Sequence, residues 1–134
     1  MGAPRVLLCE NDPVLAWLLL EVFQDEGIQV TTCGSLQEVH SALAEFPEAV
    51  VVSDPWSRSR HPELTPDERS EIESLANRAR LILTTTRQWA VRCDGRSLGK
   101  HVTVLSKPFD LDVLISAVRA HIPAAPARCR AANA

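Results

Sequence analysis

Unbroken apolar runs alternate with amphipathic stretches along this chain. The clearest run covers residues 49–54, where small and β-branched residues lead into Ser53 and Asp54, and Pro55 follows. A run without polar alternation is typical of a strand that is covered on both faces in a parallel sheet. Because proline cannot donate to a strand ladder, we predict that the strand ends there, with Asp54 at its C-terminal tip.

Four further runs of this kind complete a prediction of five strands: residues 5–9, 28–33, 81–83 and 102–105. Between the runs lie amphipathic stretches that begin with capping residues or prolines typical of helix starts: Asp12 and Pro13, Ser35 with Glu38, Thr65 and Pro66 with Glu68, and Asp110. Strands and helices that alternate in this way predict parallel βαβ units with right-handed crossovers.

Helical spacing of apolar residues predicts which side chains the first helix buries. Its predicted core stripe consists of Leu15, Leu18, Leu19, Val22 and Phe23. Trp17 is predicted to pack with the same helix. Between residues 87 and 100, Trp89, Ala90 and Cys93 would share one face of a short helix, but Gly95 and Gly99 limit it. The sequence leaves the conformation of this segment open.

The chain has 134 residues, of which 46% are hydrophobic, and a net charge of -3. This size and composition predict one globular domain over residues 1–122. Residues 123–134 are mainly Ala, Pro and Arg, and we predict a disordered tail there. Lys and Arg form no stripe, no apolar stretch reaches about 18 residues, and no signal peptide is apparent. We therefore expect a cytoplasmic protein without direct nucleic-acid or membrane partners.

Polar side chains follow four of the predicted strands at the point where each strand ends. They are Glu10, Asn11 and Asp12 after the first strand, Asp54 after the third, Thr84 and Thr85 after the fourth, and Lys107 after the fifth. Because the carboxyl ends of parallel strands share one edge, we expect these groups to converge. Acidic oxygens can hold a divalent cation, and an ammonium with a hydroxyl can bind phosphoryl oxygens. The set suits phosphoryl transfer to an aspartate.

The order and spacing of these residues resemble the receiver domain of two-component response regulators. The resemblance covers residues 5–122 and rests on the acidic cluster, on Asp54, on Thr85 and on the run of Lys107, Pro108 and Phe109. It implies an α/β, flavodoxin-like (CheY-like) fold. That fold is a doubly wound, five-stranded parallel sheet of order 2-1-3-4-5 inside a three-layer sandwich.

The same resemblance implies roles for particular residues. Asp54 is then the phosphoacceptor, Lys107 contacts the phosphoryl group, and Thr85 is the switch hydroxyl, with Thr84 as its alternative by register. The cofactor is then Mg²⁺, held by Glu10, Asn11, Asp54 and Trp56. A histidine kinase or phosphotransfer protein is the implied phosphodonor. The domain is not expected to be an enzyme, and it is expected to act on a separate downstream protein or through a homodimer.

Several positions depart from the pattern of that family. Asn11 replaces the second acid of the cluster, and a neutral amide is a weaker Mg²⁺ ligand than a carboxylate. Its neighbour Asp12 is expected to cap the first helix. Val104 stands where the family carries its switch aromatic, Thr86 replaces a small residue, and no glycine follows the phosphoacceptor until Gly95.

Two hypotheses therefore stay open on the sequence. One is a receiver that is phosphorylated at Asp54 and signals through the surface around residues 87–100, the fifth strand and the last helix. The alternative is a degenerate pseudo-receiver that acts as a phosphorylation-independent interaction module. A hydrolase or a flavin binder is not favoured, because the chain has no G-x-S-x-G elbow and no Gly-rich phosphate loop.

Overall fold

The computed structural model describes residues 4–54, 61–93 and 95–122. Within them the chain forms five strands: β1 (Val6–Glu10), β2 (Val30–Thr32), β3 (Val50–Asp54), β4 (Leu81–Thr85) and β5 (Val102–Ser106). The same residues form five helices: α1 (Pro13–Asp25), α2 (Leu36–Glu45), α3 (Pro66–Ala76), α4 (Trp89–Arg92) and α5 (Leu111–His121). None of these helices is both long enough and apolar enough to cross a bilayer.

The strands form one parallel sheet in the order β2-β1-β3-β4-β5, which confirms the predicted topology. The pairing of β1 with β3 places Glu10 beside Asp54. The pairing of β4 with β5 places Thr85 beside Ser106. Four of the strands therefore bring their polar C-terminal residues to the same edge of the sheet.

Apolar layers cover both faces of the sheet, because successive strand residues point to opposite sides. On one face, Leu7, Val51 and Leu83 pack with buried residues of α2, α3 and α4. On the other face, Leu8 and Val52 pack with buried residues of α1 and α5. Every residue of β3 is buried, as its unbroken apolar run predicts. This double cover holds the central strands, and hence the polar edge, in a fixed position.

Side-chain caps explain the start of α3 but not that of α5. Thr65 Oγ1 accepts the Glu68 amide at 3.2 Å, and Glu68 Oε1 accepts the Thr65 amide at 3.0 Å. This predicted capping box provides partners for two amides at the helix terminus and its cap. Asp110 is the N-cap residue of α5, as predicted, but its side chain makes no capping hydrogen bond. Instead the Asp110 carbonyl accepts the amides of Val113 and Leu114.

Part of the outer surface of α1 is apolar, which corrects the prediction for two of its residues. Leu19 and Phe23 are buried as expected, but Trp17 is 62% exposed and Leu18 is 40% exposed. Val14 continues the same exposed surface. Apolar residues occur on all sides of this helix, so their spacing does not distinguish the inner face from the outer face.

Two of the described cysteines are buried thiols. Cys9 in β1 and Cys33 after β2 are both free and buried, whereas Cys93 after α4 is more accessible. Burial, with a contribution from the nearby Cys33, raises the pKa of Cys9 to about 11. Burial raises the pKa of Cys33 as well. Both thiols therefore stay protonated at neutral pH, and neither is poised as a nucleophile.

The return of the chain from α4 to the sheet depends on a glycine. Gly95 has a φ of 88°, which residues with side chains rarely adopt. A Cβ atom at this position would lie 2.3 Å from the carbonyl oxygen of Val102, the first residue of β5. Only a residue without a side chain fits at this close approach.

Candidate functional site

A lysine and two carboxylates meet at the C-terminal edge of the sheet. Glu10 is the last residue of β1, Asp54 is the last residue of β3, and Lys107 directly follows β5. Lys107 Nζ lies 2.8 Å from Glu10 Oε1 and 2.8 Å from Asp54 Oδ2. The structure thus brings together three residues that are widely separated in the sequence, and we call them the charge cluster.

The charge cluster is nearly closed to solvent. The side chains of Glu10 and Asp54 are 1% and 2% exposed, and that of Lys107 is 11% exposed. Burial alone lowers the pKa of Lys107, but hydrogen bonds to Asp54 and Glu10 outweigh it, and the pKa is raised above 10.5. Lys107 is therefore an ammonium group at neutral pH, and its charge offsets part of the negative charge around it.

The neighbouring Asp12 serves the helix rather than the charge cluster. Its Oδ1 accepts the amides of Val14 and Leu15 at 3.0 and 3.3 Å, which confirms the predicted N-cap. Its own amide donates to Glu10 Oε2 at 3.1 Å. Both oxygens of Glu10 are thus engaged, one by the start of α1 and the other by the lysine. Asn11, between the two acids, is half-buried.

Two threonine hydroxyls lie at the end of β4. Thr85 Oγ1 accepts the Arg87 amide at 3.0 Å, and the Thr85 carbonyl accepts the Lys107 amide at 2.7 Å. The hydroxyl of Thr84 is buried and has no hydrogen-bond partner among the residues that the structure describes. Thr85 is therefore tied to the backbone of the charge cluster on one side and to Arg87 on the other.

The sequence prediction missed Arg87, a buried cation next to this threonine. Its guanidinium forms a two-pronged ion pair with Glu68, with Nη1 2.7 Å from Oε2 and Nη2 2.8 Å from Oε1. Its Nε donates to the His61 carbonyl at 2.6 Å, and Nη2 also donates to the Glu63 carbonyl. An arginine after a polar strand end and a capping glutamate were both visible in the sequence. Neither indicates the other, because 19 positions separate them.

The ion pair keeps Glu68 charged. Burial by itself raises the pKa of Glu68, but hydrogen bonds from Arg87 and Thr65 outweigh burial, and the pKa is lowered. The side chains of Arg87 and Glu68 are only 4% and 11% exposed. A pair this well bonded leaves few donors or acceptors unsatisfied, and that makes a buried charge pair tolerable.

The oxygen donors at this edge are of the chemical type that a hard divalent cation such as Mg²⁺ prefers. Glu10 and Asp54 contribute carboxylates that share Lys107 Nζ, and Asn11 contributes a neutral amide. Across residues 4–54, 61–93 and 95–122, no group of three His, Cys, Asp or Glu side chains is suited to hold a metal ion. Trp56, the remaining predicted ligand, lies outside the described residues. A cation here would depend mainly on two carboxylates.

Solved structures of known proteins share this architecture. A response regulator from Thermotoga maritima matches with a TM-score of 0.68 and 15% identity, over 90% of this chain and 98% of that chain. A response regulator receiver domain protein from Bacillus halodurans gives 0.64 and 19%, over 92% and 100%. The response regulator TrrA from Thermotoga maritima, in complex with Mg²⁺ and BeF, gives 0.63 and 20%, over 89% and 99%. The chain therefore has the CheY-like fold of response regulator receiver domains.

Comparison by sequence finds no relative of this chain. No protein-family model matches the chain, and no curated protein matches it significantly. The likeness to the solved structures thus lies in the order and packing of the elements. The comparisons therefore show the fold and not the roles of individual residues.

Proposed function

We propose that this chain is a receiver domain of a two-component response regulator and that it accepts a phosphoryl group at Asp54. One observation carries the proposal: Lys107 Nζ lies 2.8 Å from both Asp54 and Glu10 on the edge of a sheet with receiver topology. A nucleophile, a cation and further acidic oxygens are thus available within one buried cluster. The fold shared with response regulators supports the same function.

The proposed reaction is an attack by Asp54 on the phosphorus of a phosphohistidine in a histidine kinase or phosphotransfer protein. An oxygen–phosphorus bond forms at the carboxylate as the nitrogen–phosphorus bond breaks, and the imidazole nitrogen keeps the electron pair. Lys107, already bonded to Asp54, then pairs with oxygens of the phosphoryl group. This pairing offsets repulsion between the incoming dianion and Glu10.

Two further groups would hold the acyl phosphate. The Thr85 hydroxyl donates its proton to a phosphoryl oxygen. Glu10, Asn11 and Asp54, with Trp56 by resemblance, would hold Mg²⁺, which supplies positive charge to a phosphoryl group when bound. Because Asn11 is neutral, we expect this chain to bind Mg²⁺ more weakly than a site with another carboxylate.

An exposed apolar surface beside the charge cluster suits a protein phosphodonor. Val14, Trp17 and Leu18 are exposed on the first turns of α1, directly after the acidic segment that ends β1. Exposed apolar patches commonly mark contacts with other proteins. A donor that docks here would bring its phosphohistidine to Asp54. A separate downstream protein or a second copy of the chain would then bind the phosphorylated domain. We place this exchange in the cytoplasm.

A second candidate function is that of a degenerate receiver, which binds a partner without being phosphorylated. The observation that favours it is the N-cap at Asp12, whose Oδ1 accepts two helix amides. With Asn11 neutral, the acid next to it is held in place by the helix cap, which makes it less suited to bind Mg²⁺. The charge cluster would then stabilise the folded domain and take no part in phosphorylation.

Intact-mass spectrometry with acetyl phosphate and Mg²⁺ tests the proposed function. We expect one phosphoryl increment on the wild-type chain and none on Asp54→Asn. Asp12→Asn is the matched control: it removes a carboxylate from the same edge, and asparagine caps a helix as well as aspartate does. It should keep the increment. An unmodified wild-type chain would contradict the proposal and favour the degenerate receiver, and an increment on Asp54→Asn would place the phosphoacceptor elsewhere.

A further inference from the structure

We propose that Arg87 transmits the state of the phosphorylation site to the start of α3. The inference rests on the proposed function, because it concerns what happens after Asp54 is modified. It assigns a regulatory role to a residue that lies outside the charge cluster and makes no contact with the phosphoacceptor in the described structure.

The first link is the hydrogen bond between Thr85 and Arg87. Thr85 Oγ1 accepts the Arg87 amide at 3.0 Å, so one oxygen joins the proposed phosphoryl-binding hydroxyl to the Arg87 backbone. Movement of this hydroxyl toward a phosphoryl oxygen either draws the Arg87 amide with it or breaks the bond. In the first case Arg87 is displaced when Asp54 is phosphorylated, and in the second its backbone loses the hydrogen bond that restrains it.

The second link is the set of contacts that Arg87 makes with the segment leading into α3. Its guanidinium holds both carboxylate oxygens of Glu68 and the carbonyl oxygens of His61 and Glu63. Glu68 is also half of the capping box with Thr65. A shift of Arg87 therefore displaces its hydrogen-bond partners in the first turn of α3 and in the residues just before it. A two-pronged arginine pair is directional, so small displacements of Arg87 carry over to Glu68.

The chain lacks the alternative route through β5. Position 104, where the family resemblance places a switch aromatic, is Val104, which packs partly buried against the apolar layer of α2, α3 and α4. A valine has no ring to reorient and no hydroxyl to expose. The buried connection from Thr85 through Arg87 to Glu68 offers a route to the surface that does not use β5.

The surface that would change is a cleft between α3 and α4. It has a volume of about 220 Å³, and its lining includes Glu63, Trp89, Arg92 and Cys93. Trp89 is 6% exposed, and its amide donates to the Pro62 carbonyl at 2.9 Å, beside the segment that Arg87 holds. Trp89 and Cys93 therefore report on this cleft directly.

The test uses these two residues as probes. In a parent variant with Cys129→Ser, which retains the proposed Mg²⁺ ligand Trp56, Cys93 is the accessible thiol because Cys9 and Cys33 are buried. A Trp89→Phe version of this parent isolates the emission of Trp89 by difference. The parent is treated with acetyl phosphate and Mg²⁺. Phosphoryl occupancy is followed by intact mass, Trp89 by its emission, and Cys93 by its rate of labelling with a thiol reagent.

We expect phosphorylation to change the Cys93 labelling rate at least twofold and to shift Trp89 emission. The same response is expected in Thr84→Val, the matched control that removes the neighbouring hydroxyl. At equal phosphoryl occupancy, the response should be lost in Thr85→Val and in Arg87→Lys. Lysine keeps the positive charge but cannot form the two-pronged pair with Glu68. Thr85→Val is nearly isosteric, so it decides the question even where Arg87→Lys does not fold.

Two results would overturn the inference and leave the proposed function intact. One is a phosphorylated parent whose Trp89 emission and Cys93 labelling do not change. The other is a full response in phosphorylated Thr85→Val. If the parent takes up no phosphoryl group at all, the mass spectrum shows that the proposed function has failed, and the inference fails with it.

Discussion

At the scale of single residues, Lys107 determines how the polar edge of the sheet is held together. It separates the carboxylates of Glu10 and Asp54, which lie on paired strands and are almost fully buried. Two buried carboxylates without a cation between them repel each other and cannot both remain ionised at little cost. The same lysine that we propose to bind a phosphoryl group therefore also stabilises the unmodified domain.

We predict that Lys107→Met destabilises the chain by about 3 kcal/mol at neutral pH, because it leaves buried charge uncompensated. Lys107→Arg retains a cation, so its free energy of unfolding should fall much less. Urea unfolding of the three proteins measures the difference. A loss of under about 1 kcal/mol for Lys107→Met would mean that Glu10 and Asp54 do not depend on the lysine.

The residues of this edge were predictable to different degrees. Glu10, Asp54 and Lys107 each end or follow an apolar run, so a parallel sheet brings them together whatever the details of the helices. The hydrogen bond that engages Thr85 was not predictable, because it is set by the local path of the chain after β4. Asp12 was recognisable as a cap from its place before Pro13.

At the scale of elements, the Arg87–Glu68 pair joins the end of β4 to the start of α3. The sequence predicted each element separately: the strand from its apolar run, and the helix from Thr65, Pro66 and Glu68. It did not predict the contact between them, because a charged pair across 19 positions depends on how the helix lies on the sheet. The same limit explains Trp17, whose exposure depends on which side of α1 faces the sheet.

We predict that Glu68→Gln lowers stability at pH 7 by about 3 kcal/mol, since it leaves Arg87 buried without its counter-charge. The pKa of Glu68 is lowered in the folded chain from 4.5, so its contribution is complete above about pH 4.5 and is lost as pH falls through the lowered pKa. The wild type should therefore lose stability more steeply than Glu68→Gln in that acidic range.

Glu73→Gln is the matched control for this measurement, because Glu73 is an exposed acid on the same helix. Its stability should follow that of the wild type at both neutral and acidic pH when unfolding is monitored by circular dichroism. Parallel pH profiles for Glu68→Gln and the wild type would show that the ion pair adds nothing to folding.

At the scale of the whole molecule, the topology does more for the site than any one motif. A sheet of order β2-β1-β3-β4-β5 with helices on both faces sets β1 and β3 side by side, with β4 and β5 following. The strand order was predicted from the alternation of apolar runs with amphipathic stretches, together with the family resemblance. Among the described residues, two apolar layers that reach from Val6 to Ile122 bury the centre of the sheet.

Since residues 123–134 are mainly Ala, Pro and Arg and carry little apolar bulk, we predict that removing them changes the free energy of unfolding by less than about 0.5 kcal/mol. Val118→Ala, which trims a fully buried side chain of α5, provides the comparison and should cost roughly 2 kcal/mol. Thermal and urea unfolding of both variants measure the effect. A truncated chain as unstable as Val118→Ala would show that the domain extends beyond residue 122.

The tight passage at Gly95 has an evolutionary consequence. Its positive φ, and the clash that a Cβ atom here would make with the Val102 carbonyl oxygen, exclude even alanine, although the position lies away from the charge cluster. A natural variant that keeps the charge cluster intact would still fold poorly if residue 95 changed, because the segment that leads into β5 would clash with Val102. In any set of true orthologues, glycine should therefore persist there even where Asn11 or Val104 has drifted.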